Sequence, residues 1–187
     1  MEAFNFTSPI YAGETSAIER DGFTITATIY HDPDHGAPWE EEDGHGAVTD
    51  WTNRQKAPGE RILAEAGGRG YGNTHRRFYD WAGAVKTAKA DGWDAPPYGE
   101  GTAGQRAVRA VEADFQHLRA WCNDDWFYVG VAVTVSRAGV ELTGKYDHAI
   151  WGTENTAADH INELAADLVG DALDAARAKL RELTHAA

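Results

Sequence analysis

The sequence predicts an α+β fold: an antiparallel sheet of about four to five strands, two or three helices packed on one face, and a long acidic surface loop. Three observations carry this expectation. Apolar and polar residues alternate over Phe23-Thr24-Ile25-Thr26-Ala27-Thr28-Ile29-Tyr30 and again from Trp126 to Ser136, the period of a strand. Asp21-Gly22 and Ala138-Gly139 fall between such segments, where residues tolerant of positive φ close hairpins and make neighbouring strands antiparallel. Stretches beginning near Asp80, Thr102 and Thr156 carry helix end signals or helical apolar spacing.

In chain order, Ala17 to Arg20 leads through Asp21-Gly22 into the strand from Phe23, whose Phe23, Ile25, Ala27 and Ile29 face a core while the threonines face the other way. Residues 31–60 are rich in Pro, Gly and acid without a sustained period and read as a long surface loop. A short strand around Arg61 to Ala66 runs into the glycine-rich tip Gly67 to Gly72, which lacks the Gly-Lys-Ser/Thr ending of a phosphate loop. Asp80 is positioned to cap a helix through Asp91, with Gly92 as its left-handed terminus. Thr102-Ala103-Gly104-Gln105 matches a capping box. The helix it opens buries Val108, Val111, Phe115, Leu118 and Cys122. After the strand from Trp126, with Phe127, Val129, Val131, Val133 and Val135 on one side, another begins at Val140. A closing helix from Thr156 to Leu183 has Ile161, Leu164, Leu168, Ala172, Ala176 and Leu183 as its buried stripe.

At 187 residues the chain fits one domain, 1–187, and is long enough to bury a core without staples. Its apolar runs are too short to cross a bilayer, which points away from a membrane partner. One cysteine, Cys122, excludes an internal disulfide and a multi-cysteine zinc site, and together with the lack of an export signal indicates the cytoplasm. The net charge is −13 and unevenly spread: residues 1–50 hold eleven carboxylates against Arg20 alone, whereas residues 51–110 hold ten bases against six acids. Such a balance repels a phosphate backbone, so direct nucleic-acid binding is disfavoured and a basic protein surface is the expected partner.

Two acidic constellations stand out. The loop from His31 to His45 gathers His31, His35 and His45 with carboxylates, ligands that a divalent transition metal could use, though no metal-binding spacing accompanies them. As a docking loop it would instead present Trp39 as an anchor with Glu40, Glu41, Glu42 and Asp43 as the charges; Trp39 and Trp51 could equally clamp the loop to the core. On the last helix, Asp159, Glu163, Asp167, Asp171 and Asp174 follow at steps of four, four, four and three, which sets them on one face about 6 Å apart, near the phosphate spacing of a nucleic-acid strand. The bland reading is a solvated face. A third constellation, Arg69, Arg76, Arg77, Lys86 and Lys89 with Tyr71, Phe78, Tyr79 and Trp81, has the ingredients of a basic nucleic-acid patch. Cys122 falls in an apolar stripe and reads as a structural thiol, and no acid/base pair can be named.

Pro38-Trp39, Asp43-Gly44-His45-Gly46 with Trp51, Pro58-Gly59-Glu60-Arg61, Arg77-Phe78-Tyr79-Asp80, Asp91-Gly92-Trp93 and Trp121-Cys122-Asn123-Asp124-Asp125-Trp126 together resemble a family of small acidic proteins carried by bacteriophages and prophages, over roughly residues 23–150. The resemblance implies a mobile-element accessory protein and, by association, an inhibitor of a host defence protein that binds DNA; it carries over no site residue. The function expected is therefore partner binding through an acidic, DNA-mimicking surface without a cofactor. The alternatives are a metal-dependent enzyme built on His31, His35 and His45, and a structural or scaffold protein.

Overall fold

The computed structural model describes residues 3–67 and 74–185, so most of the glycine-rich tip, with Arg69 and Tyr71, lies outside the described residues. The elements, in order, are β1 (Thr15–Arg20), β2 (Phe23–His31), α1 (Pro38–Glu41), β3 (Glu60–Ala66), β4 (His75–Asp80), α2 (Trp81–Asp91), α3 (Ala103–Cys122), β5 (Tyr128–Arg137), β6 (Val140–Glu141), β7 (Ala149–Glu154) and α4 (Ala158–His185). The class is α+β. Where one domain was expected, the chain divides into two compact units: residues 1–35 with 126–187, and residues 36–125.

The first unit is a five-stranded antiparallel sheet in which β5 is central, flanked by β2 and then β1 on one side and by β6 and β7 on the other. Asp21 (φ 55°) and Gly22 (φ 76°) close the β1–β2 hairpin, and Ala138 (φ 50°) and Gly139 (φ 79°) close β5 to β6, as the turn chemistry requires. Strict alternation in β2 sends Phe23, Ile25, Ala27 and Ile29 into the core, where Val129, Val131, Val133 and Val135 of β5 meet Ile161, Ala165, Val169, Ala172, Leu173 and Ala176 of α4. The amino-terminal segment closes this core with Phe4, Phe6 and Ile10. It is held by the Asn162 side-chain amide, which accepts from the Phe6 N–H and donates to the Phe6 carbonyl, both at 3.0 Å. The buried Asn155 likewise accepts from the Phe127 N–H and donates to the Ile10 carbonyl, so no polar atom of its side chain is left without a bond.

The second unit is built on the β3–β4 hairpin with α2 and α3. Its core joins Leu63, Tyr79, Ala84, Ala88, Ala107, Val111, Phe115 and Leu118. Asp80 caps α2 by accepting from the Gly83 N–H, and Gly92 at φ 75° ends it. Thr102 and Gln105 form both halves of the capping box at the start of α3. The helices are thus shared between two sheets: α4 packs on the five-stranded sheet, while α2 and α3 belong to the unit of the two-stranded one.

The 31–60 loop is more ordered than its composition implies. Pro38 opens the one-turn α1, and the stretch from Ala47 to Thr52 runs along β4 as an irregular third edge: Asp80 N–H donates to the Ala47 carbonyl at 2.8 Å, and Val48 and Thr52 bridge Tyr79 and Arg76. The expected buried stripes are also corrected at their ends. Val108 is 46% and Leu183 47% exposed: Val108 sits off the face on which Ala107, Ala110 and Val111 are buried, and Leu183 lies in the last turn of α4, past the buried Ala176. Among the described residues no helix is long and apolar enough to cross a membrane.

Candidate functional site

The α4 face opposite the core presents Asp159, Glu163, Asp167, Asp171 and Asp174, all exposed. The apolar stripe fixes this, since seating Ile161, Ala165, Val169, Ala172 and Ala176 against the sheet turns the intervening carboxylates outward. The ladder is relieved only toward its ends. His160 Nδ1 stands 4.0 Å from Glu163, while Arg177 reaches Asp174 at 3.1 Å and Asp21 at 2.6 Å. Asp167 and Asp171, in the middle, join no ion pair or hydrogen bond among the described residues. Like charges one turn apart oppose the helix by a few tenths of a kcal/mol per pair, a cost that buys no contact within the chain.

The acidic loop is divided, with His31 and His35 in the first unit and Trp39 to His45 in the second. Glu40, Glu41, Glu42 and Asp43 are exposed. Trp39 is half-buried, edge-on to Trp121 at 5.3 Å, and the Arg77 guanidinium lies between the Trp39 and Trp51 rings at 5.1 and 5.2 Å. Trp39 therefore clamps α1 to the unit, and Trp51, 45% exposed, holds the outer side of Arg77. Arg76 pairs with Glu65 across the β3–β4 hairpin, so Arg76 and Arg77 of the expected basic patch are already engaged within the protein, while Arg69 lies outside the described residues. Cys122 borders the core, and burial pushes its thiol up, away from a reactive thiolate.

The three histidines make three different sets of contacts. His31 is exposed beside Phe127 at 5.4 Å, and His35 lies against Tyr128 at 4.0 Å. His45 turns to Asp114 at the middle of α3, with Nδ1 2.6 Å from Oδ1. Among the described residues no group of three or more His, Cys, Asp or Glu side chains is arranged to hold a metal ion.

Asp114 is the residue that the sequence reading passed over. Its carboxylate, 9% exposed, also accepts from the Gly46 N–H at 2.9 Å and from the Tyr79 hydroxyl at 2.5 Å. Burial, then the hydrogen bond to Asp114 and its charge, push the Tyr79 phenol up, so Tyr79 stays protonated and donates. Gly46 is required there, because a Cβ would stand 2.3 Å from the Tyr79 ring. The carboxylate thus fastens the loop, β4 and α3 at one point, with His45 Nε2 buried, 3.9 Å from the Glu42 carboxylate and without a hydrogen-bond partner among the described residues. The signal was present in the sequence: Asp114 stands three residues after Val111 and four before Leu118, on the buried stripe itself.

Back in the first unit, the sheet face turned away from α4 carries Thr24, Thr26, Thr28 and Tyr30 of β2 beside Ser136, Thr134, Ala132 and Gly130 of β5. Tyr30, Tyr146 and Trp151 cluster at one end, with ring centroids 5.1, 6.3 and 5.9 Å apart. The Lys145 Nζ sits 4.5 Å from the Tyr30 ring centre and 4.7 Å from that of Tyr146, and hydrogen bonding to Tyr146 holds its ammonium above the ordinary lysine value. Comparison with protein-family models, curated proteins and solved structures returned no match to this chain.

Proposed function

We propose that the protein is an accessory binding protein whose α4 carboxylate ladder occupies a cationic, phosphate-binding surface on a basic partner. The observation that carries this reading is the exposed line of Asp159, Glu163, Asp167, Asp171 and Asp174, with Asp167 and Asp171 in no ion pair among the described residues. A helix that only needed a solvated face would gain from interspersed lysines at the same positions. Steps of about 6 Å along the face match cations that normally hold successive phosphates. The acidic loop carries carboxylates of its own at Glu40, Glu41, Glu42 and Asp43.

The resemblance to phage-borne proteins supports the accessory role and makes a host defence protein that binds DNA the partner of choice. Binding is competitive: lysines and arginines of the partner that meet the ladder are withdrawn from nucleic acid. Because the interaction is chiefly between exposed charges, it weakens about tenfold or more between low and physiological salt. The test is affinity capture from a bacterial lysate at both salt levels, using the wild type and a Glu163→Gln, Asp167→Asn, Asp171→Asn variant. A DNA-binding protein retained by the wild type at low salt and lost in the variant supports the reading. A partner retained by both proteins regardless of salt refutes it.

A further inference from the structure

The open face of the five-stranded sheet carries a hollow of about 450 Å³ lined by Thr26, Thr28, Tyr30, Thr134, Ser136 and Lys145, with Gly139 and Glu141. That volume lies within the range of small-ligand clefts, roughly 300–1,000 Å³. It is separated from the α4 ladder by the sheet, and its lining is independent of the acidic surface.

Three features specify what fits. The floor is made of hydroxyl groups: the side chains of Thr26, Thr28 and Ser136 form no hydrogen bond among the described residues, and the Thr134 hydroxyl only a long one, 3.5 Å to the Thr26 carbonyl. Each such hydroxyl both donates and accepts. At one end stand aromatic plates. Trp151 is 44% and Tyr146 52% exposed, and the Trp151 indole lies directly on Gly130, where an added Cβ would come within 2.3 Å of it. The register shift between Val129 and Val131 is the bulge that turns Trp151 onto this face. The charges, finally, favour neither a cationic nor an anionic ligand. Lys145 already fills the space between the Tyr30 and Tyr146 rings, where a cationic ligand would otherwise sit, and Glu141 in the lining, with Glu19 next to Thr24, opposes a phosphate.

From this we infer that the hollow is a binding site for an uncharged saccharide, whose C–H ring face stacks on the exposed Tyr146 ring, which adjoins the lining residue Tyr30, while its hydroxyls exchange hydrogen bonds with Thr26, Thr28, Thr134 and Ser136. A base-stacking nucleic acid would use the same rings but would bring phosphates to a hollow whose lining, among the described residues, holds Glu141 and one cation, Lys145, seated on two tyrosine rings. An apolar ligand would leave the floor's hydroxyls unpaired.

The experiment is saturation-transfer NMR with glucose, galactose, mannose, N-acetylglucosamine, maltose and cellobiose, and with a ten-residue oligothymidylate, on the intact chain. The expected result is transfer to the ring C–H protons of at least one saccharide. Tyr146→Ala and the near-isosteric Thr28→Val should each weaken that binding about tenfold, with melting temperatures close to that of the wild type. The Glu163→Gln, Asp167→Asn, Asp171→Asn variant should bind the saccharide unchanged, which keeps this site distinct from the α4 surface. Absence of transfer to all six saccharides, transfer that survives Tyr146→Ala and Thr28→Val, or binding of the oligothymidylate in their place would overturn the inference.

Discussion

At the scale of single residues, the second unit depends most on Asp114. One buried carboxylate satisfies the Gly46 N–H and the Tyr79 hydroxyl and orients His45, so its removal leaves several buried polar groups unpaired at once. Asp114→Ala should destabilise the protein by about 3 kcal/mol, within the range for breaking a buried charged network, and Tyr79→Phe by about 1 kcal/mol. Urea denaturation measures both; a loss under 1 kcal/mol for Asp114→Ala would show that the loop is held by other contacts. Asp94 gives a pH-dependent counterpart. The Gly99 N–H, then the Arg109 guanidinium and the Ala95 N–H, hold its carboxyl below the ordinary 3.8. A group lowered in the folded state stabilises it above the unfolded value and loses that contribution as pH falls through the folded one. Stability should therefore drop on acidification below about pH 4, and Asp94→Asn should flatten that part of the profile.

At the scale of elements, local chemistry supports one helix and opposes another. The capping box of α3 agrees with its surroundings, and Thr102→Ala should cost about 1 kcal/mol by losing the bond to the Gln105 N–H. The α4 ladder disagrees with its own helix. Neutralising Glu163, Asp167 and Asp171 should leave stability unchanged or raise it by a few tenths of a kcal/mol per relieved pair, while abolishing partner capture. A thermal melt that falls instead would mean that the carboxylates serve the fold.

The elements with local signatures, namely the Asp21-Gly22 hairpin, the threonine-alternating β2, and α2 and α3 with their caps, were legible in the sequence. β4 and β7 were not. His75-Arg76-Arg77-Phe78-Tyr79-Asp80 has no strand alternation, since Phe78 and Tyr79 are both buried and β4 is flanked by the irregular edge at Val48 and Thr52. Ala149 to Glu154 is broken by the bulge at Trp151 and Gly152. Both strands exist because of tertiary pairing, which local periodicity does not encode.

At the scale of the whole molecule, the net charge of −13 bears on solubility and on the partner's sign, but only placement gives it a use. Sequence spacing located the ladder correctly, because a helical period and an apolar stripe fix which residues face outward. It could not place the histidines: His31 and His45 are fourteen residues apart in the chain, yet His31 lies with Phe127 and His45 with Asp114. Nor could it divide the chain in two, since the first unit takes residues from both ends. The central claim is that α4 stands in for a phosphate backbone, and competition tests it most directly. The captured DNA-binding partner, bound to labelled duplex DNA in low salt, is titrated with the wild type and with the Glu163→Gln, Asp167→Asn, Asp171→Asn variant. Release of the duplex by the wild type, with no release by the variant at the same concentration, is the predicted result. A ternary complex in which partner, duplex and protein remain together would contradict it.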